Sequence, residues 1–210
     1  MLHYPFPHRA VHLDFHNMPE ATGIGRDFDA DAFAATLKTS GVEAVTVFAK
    51  DCNGHAYYPT QVGVPHPHLA CDLTGQMIAS CKNAGLIVTV YFNAGYDNVA
   101  GTRHRDWAKL DREGRVQPPG DYFDAKRSGY FLRSMCPNTG YADYLIGMVR
   151  EVITLHPEID GIFLDCYSTS PCFGHECLEA MRARGIDITD AAAVRRFAED
   201  STHRLAQTIE

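Results

Sequence analysis

The sequence has no long hydrophobic run and no cluster of basic residues. No window of its 210 residues approaches the roughly 18 to 20 consecutive apolar residues of a membrane-spanning helix. The net charge is −7 with acidic and basic residues interspersed, whereas nucleic-acid binding requires clustered Lys and Arg. The first residues lack a basic segment followed by an apolar one, so no signal peptide is expected. The sequence therefore predicts neither a membrane nor a nucleic-acid partner.

Cysteines are odd in number and form no C-x₂-C pair. There are seven, scattered along the chain, which predicts reduced thiols in a cytoplasmic protein rather than a disulfide framework. Cys166, Cys172, His175 and Cys177 lie near one another in sequence, but their spacing departs from the C-x₂-C of most structural zinc sites. We expect no metal and no cofactor. Whether these four residues bind zinc stays open.

Three common catalytic motifs are also missing. The sequence has no GxGxxG after its first predicted strand, no GxxxxGK[ST] and no GxSxG. Dinucleotide binding, P-loop chemistry and acyl transfer at a nucleophilic serine are therefore not favoured.

The chain does contain a regular alternation of strands and helices. The pattern predicts strands over 9–16, 42–50, 86–95 and 159–165. It predicts helices over 29–41, 72–84, 138–156, 176–185 and 190–210, with one long loop over 96–136. Buried strands that alternate with helices are typical of an α/β fold with a parallel sheet.

The number of these units suggests part of a barrel. Four βα units are half of a (β/α)₈ TIM barrel, for which about 250 residues is typical. We expect residues 1–210 to be the N-terminal half of a catalytic barrel domain that continues beyond Glu210. Alternatively, four units would close a barrel if copies of the chain associated as a homo-oligomer.

Every predicted strand carries polar residues at or near its carboxyl end, the face at which such barrels keep their catalytic groups. His12, Asp14 and His16 alternate along the first strand and should face one side. Asp165 ends the apolar run 159–165, where a structural role as a helix cap or buried ion-pair member is the alternative. The candidate site residues are His12, Asp14, Lys50, Asp51, His55, Tyr57, Tyr91, Asn93, Asp165 and Tyr167.

Three blocks, taken in order, resemble a known family. They are VFAKDCNGHAYYPTQVGVPHPHL (47–69), CDLTGQMIASCKNAGLIVTVYFNAGYD (71–97) and IDGIFLDCY (159–167). They resemble the α-L-fucosidase group of retaining glycoside hydrolases, in particular the domain called hypothetical glycosyl hydrolase 6. The Tyr-Tyr-Pro at 57–59 and the His-Pro at 66–67 favour the latter.

The resemblance implies a retaining glycosidase that acts on a carbohydrate substrate. It makes Asp165 the nucleophile and makes the other candidate residues contacts for sugar hydroxyls, with the general acid/base expected beyond Glu210. Asp51 and Cys52 stand where the classical fucosidases have paired histidines, and this departure leaves the sugar open. The alternatives are a glycosidase of other specificity, such as a β-galactosidase-like enzyme, or a non-catalytic carbohydrate-binding half-barrel.

Overall fold

The computed structural model describes residues 7–117 and 132–209. Its strands are β1 Ala10–His12, β2 Ala44–Lys50, β3 His55–Ala56, β4 Val64–Pro65, β5 Ile87–Asn93 and β6 Gly161–Asp165. Its α-helices are α1 Ala30–Thr39, α2 Leu73–Asn83, α3 Asn98–Arg103, α4 Tyr141–Leu155, α5 His175–Ala183 and α6 Ala191–Ile209. No helix within these residues is both long and apolar enough to cross a membrane.

The chain divides into two compact units. The first runs to Asp51 and also takes in His55–Phe92 and Arg150–Leu164. The second takes in Cys52–Gly54, Asn93–Val149 and the chain from Asp165 onward.

The first two helices begin and end where the sequence predicts. The Asp29 side chain accepts a hydrogen bond from the Ala32 backbone N–H (2.9 Å) and caps α1, and Asp72 caps α2 in the same way. After these helices Gly41 and Gly85 have φ of 74° and 71°, a left-handed conformation that glycine adopts without steric cost. Each helix therefore stops at its glycine.

The sheet has the order β4-β3-β2-β5-β6, with β1 also paired to β2. β2 is parallel to β1 and to β5, while β3 is antiparallel to β2. Asp160 N donates to Val88 O, and Ala94 N donates to Asp165 O, so β5 and β6 run in the same direction. The four strands that the sequence predicts correspond to β1, β2, β5 and β6. They are parallel, and each one lies beside the next along the chain, as expected of consecutive βα units.

Two predicted segments differ from the structure in their secondary structure. The first strand ends at His12 instead of residue 16, because beyond Leu13 the chain turns away from β2, and Asn17 N donates to the Tyr57 hydroxyl (3.1 Å). The stretch 96–136 is not one long loop. Within its described residues the Asp97 side chain caps α3 by accepting from Ala100 N (2.7 Å), and a 3₁₀ turn follows; 118–131 lie outside the described residues.

The apolar run 159–165 predicts a buried strand, and this is wrong. Every residue of β6 is at least partly exposed, and Phe163 keeps 42% of its surface. The reason is its position, because β6 is the last strand in the sheet order and has β5 as its neighbour. In contrast, Val47, Val88 and Val90 on the strands β2 and β5 are almost completely buried.

Candidate active site

Asp165 occupies a tight turn at the carboxyl end of β6. Its backbone oxygen accepts a hydrogen bond from Ala94 N (2.9 Å), and its Oδ1 accepts one from Cys166 N (2.7 Å). Cys166 has φ of 58° and is the only non-glycine residue with positive φ in the part of the chain described. Such a conformation costs about 1–3 kcal/mol, and residues that adopt it cluster at functional sites. The turn therefore fixes one carboxylate oxygen at some cost to stability.

Asn93 and Gly95 support this turn within the second unit. Asn93 is buried, accepts from Tyr96 N through its Oδ1 (2.8 Å) and donates from Nδ2 to Cys166 Sγ (3.4 Å). A Cβ added at Gly95 would lie 1.8 Å from the Cys166 backbone oxygen. Only glycine therefore allows these two segments to approach so closely.

Tyr167 follows the same turn. Its hydroxyl is buried and makes no hydrogen bond to any of the residues described. Burial raises the pKa of this phenol. A buried hydroxyl without a protein partner destabilises the protein. A ligand or a water molecule that accepted its hydrogen bond would remove this cost.

In the first unit, Asp51 and Tyr57 form a buried pair. Tyr57 donates its hydroxyl hydrogen to Asp51 Oδ2 (2.9 Å), and His55 N donates to Asp51 Oδ1 (3.0 Å). Both side chains are inaccessible to solvent. Burial, and then the nearby Asp51 charge, raise the pKa of Tyr57 well above its usual range. Tyr57 therefore remains a neutral hydrogen-bond donor.

Lys50 lies directly before this pair at the end of β2. Its side chain is completely buried, and Nζ lies 3.5 Å from the Asp51 backbone oxygen. A buried ammonium is retained only where polar groups surround it.

An aromatic row, formed by His12, Phe48, Tyr91 and Phe163, crosses four neighbouring strands on one face of the sheet. Phe48 and Tyr91 are paired in register and stack with their ring centroids 3.8 Å apart. The His12 ring contacts Phe48, Tyr91 and Phe163 at 5.2–5.6 Å. The row places one ring from each parallel strand in a single layer.

His12 and His16 both contact rings of the aromatic row, although the strand ends at His12. The His16 ring also contacts Phe48 and Tyr91, with centroids at 5.3 and 6.1 Å. Asp14 is exposed, and its Oδ1 lies 3.0 Å from His16 Nε2. This end of the row therefore combines apolar rings with polar groups that solvent can reach.

The structure gathers the candidate residues into two groups. The first unit holds His12, Asp14, Lys50, Asp51, His55, Tyr57 and Tyr91, and the second holds Asn93, Asp165 and Tyr167. Their roles in binding or catalysis stay predictions.

Sequence reasoning missed Glu151, which anchors the segment after β3. Glu151 lies on α4, where its carboxylate accepts hydrogen bonds from the Tyr58 hydroxyl (3.0 Å), Gln61 N (2.7 Å) and the Thr60 hydroxyl. A glutamate inside an amphipathic helix gives no sequence signal for such a role.

The four residues considered for zinc do not come together. Cys172 and Cys177 are joined instead by Cys136, and the three sulfurs lie within 4.8 Å of one another. Cys166 lies beside Asn93, and His175 is an exposed first residue of α5. The sequence gives no signal for Cys136, because it lies far from the other two cysteines along the chain, at the end of the predicted loop 96–136.

Comparison with known proteins identifies the class as glycosyl hydrolase. The family model described as hypothetical glycosyl hydrolase 6 matches residues 29–166, more than half of the chain. The chain belongs to this family. No curated protein matches it.

Solved structures include one relative that matches nearly the whole chain. α-L-Fucosidase isoenzyme 2 from Paenibacillus thiaminolyticus is 31% identical, with 97% of this chain covered and a TM-score of 0.86. An α-fucosidase from Thermotoga maritima is 23% identical over 68% of this chain (TM-score 0.48), and one from Bacteroides thetaiotaomicron is 16% identical over 68% (TM-score 0.45). The chain spans only 28–30% of the length of these three proteins.

Proposed function

We propose that this chain is the N-terminal half of a (β/α)₈ catalytic domain of a retaining, α-L-fucosidase-like glycosidase, with Asp165 as its nucleophile. The observation that carries the proposal is the geometry of Asp165, a strand-end carboxylate fixed by a strained turn in the family's matched segment. The similarity to the Paenibacillus fucosidase over 97% of this chain supports the choice of sugar.

Two features of the first unit support the half-barrel. Its parallel strands are neighbours in chain order, as in the first half of a (β/α)₈ barrel. β6, at the end of that order, leaves Phe163 substantially exposed, whereas barrel strands are covered on both faces. A second half would extend the sheet from β6 and continue the aromatic row as an interior layer.

The reaction requires two carboxyl groups about 5–5.5 Å apart. Asp165 attacks the anomeric carbon and forms a covalent glycosyl intermediate, while the second group protonates the leaving oxygen. That second group then takes a proton from water, which hydrolyses the intermediate. Asp51 does not suit the second role, because it is buried and its two oxygens accept hydrogen bonds from His55 N and Tyr57. We assign the general acid/base to the second half of the domain.

The remaining candidates bind or position the sugar. His12, Asp14 and Tyr167 are the accessible or unsatisfied polar groups, so we assign them to contacts with sugar hydroxyls. Lys50, Asp51, His55, Tyr57, Tyr91 and Asn93 are buried and hold the strand ends rigid. Rigid strand ends maintain the productive geometry that catalysis depends on.

The nucleophile is tested in the complete domain with nitrophenyl α-L-fucoside. Asp165→Gly should reduce turnover by orders of magnitude with the fold unchanged, and azide should restore it and give the product of inverted anomeric configuration. Asp187→Asn, which changes an exposed acid in the loop before α6, is the matched control and should keep wild-type turnover. Full activity of Asp165→Gly would refute the assignment.

Two further measurements separate the alternatives. A panel of nitrophenyl glycosides identifies the sugar, and faster hydrolysis of a galactoside than of the fucoside would exclude fucosidase specificity. The 210 residues alone should not hydrolyse any of these substrates, because half of the catalytic face is absent. Turnover by the purified chain would contradict the half-barrel, and sugar binding by the complete domain without hydrolysis would favour a binding module.

A further inference from the structure

We propose that Cys136, Cys172 and Cys177 bind one Zn²⁺ ion, which is separate from the glycosidase chemistry. The site lies entirely within the second unit. It joins the chain before α4 to the loop after β6 and to α5.

The sulfur geometry is close to that of a thiolate zinc site. Zn–S bonds of about 2.3 Å in a tetrahedron place two sulfurs roughly 3.8 Å apart. Cys136 Sγ and Cys177 Sγ lie 3.3 Å apart, and all three sulfurs lie within 4.8 Å of one another. Moving Cys136 Sγ and Cys177 Sγ apart by about half an ångström, with Cys172 Sγ brought to the same spacing by side-chain rotation, would accommodate the ion.

The three cysteines belong to a hydrophobic cluster and also line a small cavity. Its volume is about 10 Å³, roughly the space of a single water molecule, and Asn138, Ser201 and Lys109 also line it. Three protein ligands leave one position of a tetrahedral ion, and a water molecule in this cavity would fill it. Met181, Val194 and Phe197 pack around the sulfurs and limit access by bulk solvent.

Charge balance also favours a metal here. Lys109 is buried, lines the same cavity and is close enough to interact electrostatically with all three cysteines. Its Nζ donates to Ser168 O (2.8 Å) and to Ser170 O (3.1 Å), which are neutral acceptors. A zinc ion with three thiolates carries a net charge of −1. A protonated Lys109 would make the assembly neutral.

Hydrogen-bond donors are already directed at two of the sulfurs. Gly174 N donates to Cys172 Sγ (3.3 Å), and Asn138 Nδ2 donates to Cys177 Sγ (3.3 Å). Such outer contacts orient metal ligands and offset thiolate charge. Each cysteine binds as a thiolate, so each one that is a thiol before binding releases one proton to solvent.

The test measures metal content directly. The chain is produced in zinc-supplemented medium, purified without chelators, and analysed by inductively coupled plasma mass spectrometry. We expect about one zinc per chain. Replacement by Co²⁺ should give the strong near-ultraviolet absorption of thiolate-to-cobalt charge transfer, a readout that needs no activity assay.

Single variants locate the ion. Cys136→Ser, Cys172→Ser and Cys177→Ser should each lose most of the zinc, whereas Cys71→Ser, a half-exposed cysteine of the first unit, should retain it. If circular dichroism shows that a variant does not fold, the zinc content and the cobalt spectrum of the unmodified chain still decide whether the site binds zinc. Unmodified protein that has no zinc and no cobalt band would overturn the proposal. A disulfide between Cys136 and Cys177, seen as five free thiols out of seven, would also overturn it.

Discussion

The Tyr57 hydroxyl donates a hydrogen bond to Asp51 Oδ2 across 2.9 Å, and neither side chain is accessible to solvent. The same hydroxyl accepts hydrogen bonds from Asn17 N and Nδ2 at 3.1 Å each. Tyr57 thus connects the segment after β1 to the end of β2. A buried carboxylate depends on such donors, because an unmatched one bears the full cost of desolvation.

Tyr57→Phe should therefore destabilise the protein by about 1.5–3 kcal/mol, the range for a hydrogen bond to a charged group. The substitution keeps the ring and removes only the hydroxyl, so packing changes little. Urea unfolding followed by circular dichroism measures the loss.

Tyr167→Phe is the matched control, because the Tyr167 hydroxyl bonds to none of the residues that the structure describes. It should leave the free energy of unfolding unchanged or slightly higher. If both variants lost the same free energy of unfolding, the Tyr57–Asp51 hydrogen bond would make no contribution of its own to stability.

Local signals in the sequence predicted much of the fold. Asp29 caps the start of α1 with its side chain, and Gly41 ends the helix with a left-handed turn. Both effects are properties of single residues. The apolar run of β5 likewise needs no distant information to be recognised. These elements were predicted correctly because each depends on a contiguous stretch.

The features that the sequence did not reveal depend on distant contacts. α3 begins in a polar stretch, and Asn98 N donates to Asn53 O (3.1 Å), a residue from another part of the chain. Cys136 meets Cys172 and Cys177 only after folding. The exposure of β6 follows from its place at the end of the sheet order, which periodicity does not encode.

Glu151→Gln should destabilise the first unit by about 2 kcal/mol. The carboxylate accepts from Tyr58, Thr60 and Gln61 N, and an amide would turn an NH₂ group toward at least one of these donors. The shift in urea midpoint measures this cost.

Glu20→Gln makes the same chemical change at an exposed position. We expect it to alter stability by less than about 0.5 kcal/mol. If the Glu151→Gln protein were as stable as this control, hydrogen bonds from the three donors to water would be as favourable as those to the carboxylate.

Cys81 should make stability depend on alkaline pH. It is fully buried on α2, and burial raises its pKa to about 11. The folded state therefore holds this proton more tightly than the unfolded chain, whose thiol titrates near about 8.5. The resulting stabilisation is complete below the unfolded pKa and is lost as pH rises toward 11. The free energy of unfolding should thus fall across this interval.

Cys81→Ala should flatten that fall between about pH 8.5 and 10, before tyrosines begin to contribute. Cys71→Ala, which removes a half-exposed thiol, should retain most of the wild-type slope. Identical slopes in wild type and Cys81→Ala would exclude Cys81 as the cause.

Gly95→Ala should disrupt the turn that holds Asp165. The added Cβ would lie 1.8 Å from the Cys166 backbone oxygen, so one of the two segments must move. Overpacking of this kind costs about 3 kcal/mol. Because Cys166 N donates to Asp165 Oδ1, the movement should also reduce turnover by the complete domain.

Gly161→Ala is the control on β6, where the nearest atom to a new Cβ, Thr89 Cγ2, lies at 4.0 Å. It should change stability and turnover little, and a Gly95→Ala enzyme with normal values for both would show that the turn tolerates a shift without moving the carboxylate.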